Sequence, residues 1–105
     1  MAEAIKAKTK GNRSERKVKK EWENKGWYCC KSGGSLGLFD LIMLHPDGGV
    51  ALVQVKTNTM PSQAELDRIR AFQCPPDWKR MIAVVRDRKS IEYYYVRPDG
   101  ALGAY

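Results

Sequence analysis

Residues 50–56, VALVQVK, have the pattern of a buried β-strand that ends with two polar side chains, Gln54 and Lys56, at alternate positions. In a β-strand, successive side chains point to opposite faces of the sheet. One face of this segment would carry Val50, Leu52, Gln54 and Lys56, and the other would carry Ala51, Val53 and Val55. Both faces are largely apolar, so we predict a central strand that is covered on two sides.

Further patterns complete the predicted fold. Asn12 with Glu15, and Ser62 with Glu65, have the spacing of helix capping boxes, and Gly26 is a natural helix stop. The order α-β-β-β-α-β-β predicts an α/β fold with a mixed central sheet flanked by helices. The predicted helices span residues 12–25 and 61–74, and the predicted strands span 27–31, 38–44, 50–56, 80–86 and 91–96.

The length and charge of the chain indicate its domain organisation and the kind of partner it binds. A chain of 105 residues predicts one domain over 1–105, in which basic residues 1–11 form a flexible arm. The net charge is +7, of which residues 1–31 contribute +6. A basic N-terminal segment indicates a polyanionic partner, with nucleic acid favoured over an anionic membrane. The alternative is that these charges only form a solvated helix face.

The absence of several signals narrows the class of protein further. No apolar run approaches the roughly 18–20 residues that span a membrane, and the N-terminus lacks a secretory pattern. We therefore expect a cytoplasmic protein that does not bind membranes and has no small-molecule substrate. The three cysteines lack zinc-site spacing, and the single histidine excludes a histidine-based metal cluster.

Three predicted elements each offer a group suited to phosphodiester hydrolysis. Asp40 lies in an apolar segment, where an unpaired carboxylate would be costly to bury. Glu15, Asp40 and Gln54 offer side-chain oxygens for a hard divalent ion, and Val55 offers its backbone carbonyl. Lys56 could orient the attacking water and offset charge on the phosphate, and Ser32 could bond a phosphate oxygen.

Each of these residues also has a structural explanation. Glu15 could only close its capping box, and Asp40 could pair with Arg or Lys. Lys56 could be a strand-end charge, and Ser32 could belong to an ordinary loop. The chemical hypothesis therefore depends on their combination.

The chain resembles the archaeal-type Holliday junction resolvases of the PD-(D/E)xK nuclease superfamily. The matching features cover most of residues 10–97 and keep their order along the chain. They are Gly11-x-x-x-Glu15-Arg16, the step from Gly26 to an aromatic residue, Lys31-Ser32, Asp40-Leu-Ile, and the x-Val-Lys that ends at Lys56.

This resemblance implies a restriction-endonuclease-like core and a homodimer that nicks four-way DNA junctions symmetrically. Mg²⁺ would be the cofactor, with Mn²⁺ as a substitute. Glu15, Asp40, Gln54 and the Val55 carbonyl would bind the metal, and Lys56 would be catalytic. The expected DNA-binding residues are Lys10, Asn12, Arg13, Arg16, Lys31 and Ser32.

The sequence departs from the superfamily pattern at two positions. Phe39 replaces a proline, and Gln54 replaces an acidic ligand. Gln54 is either a native ligand or a Glu→Gln change. With two carboxylates instead of three, we expect weaker metal binding and greater tolerance for Mn²⁺.

Two functions are alternatives to a junction resolvase. They are a related small nuclease acting on flaps or duplex, and a junction-binding protein with weakened catalysis. Cellular, viral and phage origins all fit.

Overall fold

A computed structural model describes residues 2–32, 38–97 and 99–104, with side chains from residue 13 onward. It contains two helices and six strands in this part of the chain. The helices are α1 (Ala2–Glu23) and α2 (Gln63–Ala71). The strands are β1 (Tyr28–Lys31), β2 (Leu41–Leu44), β3 (Val50–Thr57), β4 (Lys79–Val85), β5 (Glu92–Val96) and β6 (Leu102–Ala104).

The strands form one sheet in the order β1-β2-β3-β4-β5-β6. All neighbours are antiparallel except β3 and β4, which run parallel. A parallel pair needs a crossover connection, and α2 provides it here. The sheet is therefore mixed, which confirms the predicted α/β class.

The two faces of β3 contribute to different cores, as its alternation predicted. Ala51 and Val53 belong to a cluster with Val18 and Trp22 of α1. Leu52 belongs to a second cluster that includes Ile69 of α2. Hydrogen bonds to β2 and β4 make β3 a central strand, so its predicted position is confirmed.

The predicted helix start at Asn12 is wrong, because α1 begins at Ala2 and includes Asn12. The backbone of residues 2–11, expected to form an arm, continues this helix. The helix ends at Glu23, three residues before Gly26, whose φ of +92° suits the turn that follows. Treatment of 1–105 as a single domain stays a prediction.

The start of β2, the end of α2 and the tail also differ from the prediction. β2 begins at Leu41, so Asp40 precedes the strand instead of lying within it. α2 ends at Ala71 because Phe72 has an extended backbone, with ψ of 124°. The tail also contains β6, which was not predicted and which pairs Leu102 with Val96. Within the described ranges, neither helix is long and apolar enough to cross a membrane.

Candidate active site

Asp40 is attached to β3 by two hydrogen bonds. Its backbone N–H donates to the Val53 carbonyl at 2.9 Å, and its Oδ2 accepts the Val55 N–H at 2.7 Å. Burial raises the pKa of the Asp40 carboxyl, although the Val55 N–H and the Lys56 charge oppose this shift and the Glu65 charge adds to it. The carboxylate predicted to be costly to bury is therefore held against the strand that carries Lys56.

Gln54 and Lys56 both reach a carboxylate on α2. The Gln54 Nε2 donates to Glu65 Oε2 at 3.0 Å. The Lys56 Nζ donates to both carboxylate oxygens of Glu65, at 3.2 and 3.1 Å. Glu65 thus connects the two polar residues of this face of β3.

The start of α2 fixes the position of Glu65. The Ser62 side chain accepts from the Glu65 N–H at 3.2 Å, and the Ser62 N–H donates to Glu65 Oε1 at 3.1 Å, which confirms the predicted capping box. The Ser62 bond lowers the pKa of the Glu65 carboxyl, burial opposes it, and Lys56 lowers it further. Glu65 is therefore a charged acceptor between α2 and β3.

From the sequence, Glu65 was predicted only as a capping residue. A usable signal existed, because only five residues separate β3 from α2. A connection that short keeps the first turn of the helix near the carboxyl end of the strand. An acidic residue there can reach the last polar side chains of β3.

The Gln54 amide is incompletely satisfied. Gln54 is 4% exposed, and its Oε1 is buried without a hydrogen-bond partner among the described residues. An unpaired buried acceptor costs roughly 1–3 kcal/mol. Asp40, whose Oδ2 accepts the Val55 N–H, offers a carboxylate beside it. Carboxylate and amide oxygens are ligands for Mg²⁺, so this donor set fits the expected metal.

The predicted ligand Glu15 has a different partner. Its Oε2 lies 3.5 Å from the Lys31 Nζ. The preceding residue, Ser14, is buried and shares a 2.7 Å hydrogen bond with Thr57, the last residue of β3. Glu15 is therefore anchored near this end of β3 through α1, but its described contacts do not include Asp40, Gln54 or Lys56.

In the portion of the chain with described side chains, no group of three or more acidic, histidine or cysteine residues could hold a metal ion. The potential metal ligands that lie near one another are two carboxylates, Asp40 and Glu65, and one amide, Gln54. The Val55 carbonyl belongs to β3, where Val55 pairs in register with Ala83 of β4.

The predicted DNA-binding residues fall into three groups. Arg13 and Arg16 are exposed on α1, and the Lys31 side chain is exposed at the end of β1. The Ser32 hydroxyl donates to the Phe39 carbonyl. The side chains of Lys10 and Asn12 lie outside the described residues, as does the Gly-rich stretch 33–37.

The predicted fold is confirmed by comparison with solved structures. The chain is similar in fold to the 1.6 Å structure of Hjc, a Holliday junction resolvase from the archaeal hyperthermophile Archaeoglobus fulgidus. The TM-score is 0.65 at 18% sequence identity, over 80% of this chain and 70% of that one. No protein-family model matches the sequence, and no functionally curated protein matches it significantly.

Proposed function

We propose that the chain is a metal-dependent, structure-selective DNA endonuclease that resolves four-way junctions by paired symmetric nicks. The observation that carries this proposal is the position of Asp40, Gln54 and Lys56 beside one another on a resolvase-like fold. A hydrolytic site needs oxygen ligands and a cation at one place, and these residues offer both. The fold alone hosts several nuclease activities, so the polar cluster is the more informative feature.

Each residue of the site has a proposed role. Asp40, Gln54 and the Val55 carbonyl would hold Mg²⁺, or Mn²⁺ in its place, and such an ion would supply Lewis acidity toward water and positive charge for the phosphate. Lys56 orients the attacking water and offsets negative charge on the phosphate. Glu15 is a further ligand in this proposal, which requires its carboxylate to leave Lys31.

The DNA contacts explain how Glu15 could become available. Arg13, Arg16 and Lys31 are cationic and exposed, as expected for side chains that bind phosphates. A phosphate that engages Lys31 competes with its ion pair to Glu15. Lys10 and Asn12 would extend this contact along α1, and Ser32 would bond a phosphate near the cut.

Assembly and selectivity complete the proposal. A homodimer would present two sites to opposite strands of a branched DNA, which paired nicks require. Because a junction is recognised by its shape, no base contacts are needed. An intracellular location, where DNA is present, belongs to the same proposal.

One test compares a four-way junction, a flap and a linear duplex, each with Mg²⁺, Mn²⁺ or EDTA. We expect paired nicks across the junction in either metal and none in EDTA. Lys56→Ala should bind the junction but not cut it, whereas Lys89→Ala, on an exposed turn, should do both. Equal cutting of junction and duplex would exclude a resolvase while leaving a nuclease.

A second candidate is a junction-binding protein with weakened catalysis. The neutral amide of Gln54 favours it, because the position contributes an oxygen without the charge that strengthens metal binding. Tight junction binding without cleavage in Mg²⁺ or Mn²⁺ would support this alternative. Cleavage of the flap in preference to the junction would instead indicate a related small nuclease.

A further inference from the structure

We propose that Glu65, on α2, is the carboxylate that binds the divalent metal together with Asp40 and the Gln54 Oε1. This inference rests on the proposed function, because it concerns the metal of the same site. The negative charge that the neutral Gln54 does not provide to the metal would then come from a residue of α2. The sequence resemblance assigns no role to Glu65.

The contacts of Glu65 hold its carboxylate toward β3. It accepts from the Ser62 N–H, from Gln54 Nε2 and from the Lys56 Nζ, all at 3.0 to 3.2 Å. Its side chain is 28% exposed, so it lies at the border of the core and is accessible to an ion. A capping box needs only the Ser62 bonds, so the approach to Gln54 and Lys56 is additional.

The orientation of the Gln54 amide follows from the charge of Glu65. An amide oxygen facing a carboxylate would be repelled, so the NH₂ group must face Glu65. The oxygen is then directed away from that bond and has no described partner, although Gln54 is 4% exposed. A buried acceptor beside carboxylates can be satisfied by a cation or by its bound water.

The charge balance of the cluster favours a cation. Asp40 and Glu65 carry two negative charges, and Lys56 is the cation that acts on both. The Glu65 charge is felt at Asp40, so the two carboxylates are electrostatic neighbours. A divalent ion would relieve their repulsion and also satisfy the free oxygen of Gln54.

The ligand set can be tested with Mn²⁺ alone, in the absence of DNA. Binding to the full chain is measured by calorimetry and by the EPR signal of free Mn²⁺. Glu65→Gln keeps an acceptor for the Ser62 N–H but removes the charge, and we expect it to weaken Mn²⁺ binding about tenfold or more. Asp40→Asn should weaken binding similarly.

Two controls separate this effect from others. Glu92→Gln removes the same charge from a carboxylate that pairs with Arg86 and has no described contact with Glu65, and it should leave binding within about twofold of the parent. Asp67→Asn removes a carboxylate from an exposed position of the same helix, where Asp67 pairs with Arg70, and should also retain binding. Circular dichroism verifies that each variant is folded.

The outcomes distinguish this inference from the proposed function. If Asp40→Asn weakens binding but Glu65→Gln does not, Glu65 is not a ligand and the nuclease proposal still stands. If the parent binds no Mn²⁺, both this assignment and metal dependence fail. If Glu65→Gln loses binding while the parent cuts no DNA, the ligand assignment holds and the nuclease proposal fails.

Discussion

Replacement of Gln54 by glutamate tests the centre of the site directly. The Gln54 Nε2 now donates to Glu65 Oε2 at 3.0 Å, from a side chain that is 4% exposed. In Gln54→Glu the donor becomes an acceptor, so two carboxylates face each other at that distance. We expect the variant to be less stable than the parent without metal and to gain more stability when metal binds.

The size of the effect follows from the contacts. A hydrogen bond to a charged group contributes about 1.5–3 kcal/mol. Two unit charges 4 Å apart repel by about 4 kcal/mol at an effective dielectric constant near 20. Lys56, with its Nζ 3.1 Å from Glu65 Oε2, offsets part of that repulsion. We therefore expect a net loss of about 2–4 kcal/mol at pH 8.

The loss should depend on pH in a defined direction. Burial and the Glu65 charge should raise the pKa of the new carboxyl above its unfolded value of about 4.3. A raised pKa means that stability is present at low pH and is lost as pH rises. The deficit should therefore be small at pH 5, where a protonated Glu at position 54 can again donate to Glu65.

Urea unfolding followed by tryptophan fluorescence measures these differences at pH 5 and pH 8. At 10 mM Mn²⁺, a site with a Kd of about 1 mM gains about 1.4 kcal/mol, and one of about 10 µM gains about 4 kcal/mol. A variant with tighter binding should thus recover most of its deficit. Less metal should also be required for any cleavage.

Gln63→Glu provides the matched control. Gln63 is exposed on the same helix, and its Nε2 donates to Asp67 Oδ1 at 3.0 Å. The same chemical change there should alter stability by less than about 0.5 kcal/mol and should add no metal response. Equal stability of Gln54→Glu and the parent in EDTA at pH 8 would refute the contact with Glu65. Equal gains from metal would refute position 54 as a ligand.

Three other predictions concern DNA binding, the core and a buried thiol. Arg16→Gln should lower the slope of log K against log salt for junction binding by about 1, whereas Lys89→Gln should not. Met81→Ala, at a fully buried position, should lower the free energy of unfolding in urea by about 2–5 kcal/mol, far more than Met60→Ala at a 36% exposed position. Burial raises the pKa of Cys29 from 9.0 to about 11. At pH 8 its thiolate fraction is then about 100-fold lower than in the unfolded chain, so iodoacetamide should label it at least that much more slowly until urea is added, and equal rates would contradict this.

Sequence patterns predicted the elements that are specified by several residues acting together. The pattern over residues 50–56 has seven positions, and one slip in register would move Gln54 and Lys56 to the other covered face of the sheet. The second helix has two coupled signals, Ser62 and Glu65, which satisfy each other's backbone groups. Both predictions were confirmed because any alternative structure would break several interactions at once.

The predicted elements were wrong where the prediction depended on one residue or on a very short segment. A capping residue contributes about 1 kcal/mol. Asn12 therefore does not set the start of α1, which already begins at Ala2. Strand β6 has three residues, two of them small, and therefore shows no alternation. Its pairing depends on a turn in which the Arg97 N–H donates to the Ala101 carbonyl.

The site was predictable only in part, for a related reason. Asp40, Gln54 and Lys56 lie on segments adjacent in the sequence, so strand pairing brings them together. Glu65 belongs to the crossover helix, and its approach to β3 depends on how α2 packs across the sheet. The capping spacing identified one set of its partners, and the five-residue connection from β3 to α2 was the signal for the other set.

Parallel pairing of β3 and β4 links the residue at position 54 to the one at position 65. The crossover returns the chain over one face of the sheet, and the short connection places the first turn of α2 beside the end of β3. A glutamate at 54 would then face Glu65, and Lys56 is the cation described in contact with that carboxylate. A glutamine avoids this repulsion and donates a hydrogen bond instead. The neutral residue on β3 and the acidic residue on α2 are therefore two parts of one arrangement, in which the carboxylate belongs to the helix and the amide donates a hydrogen bond to it.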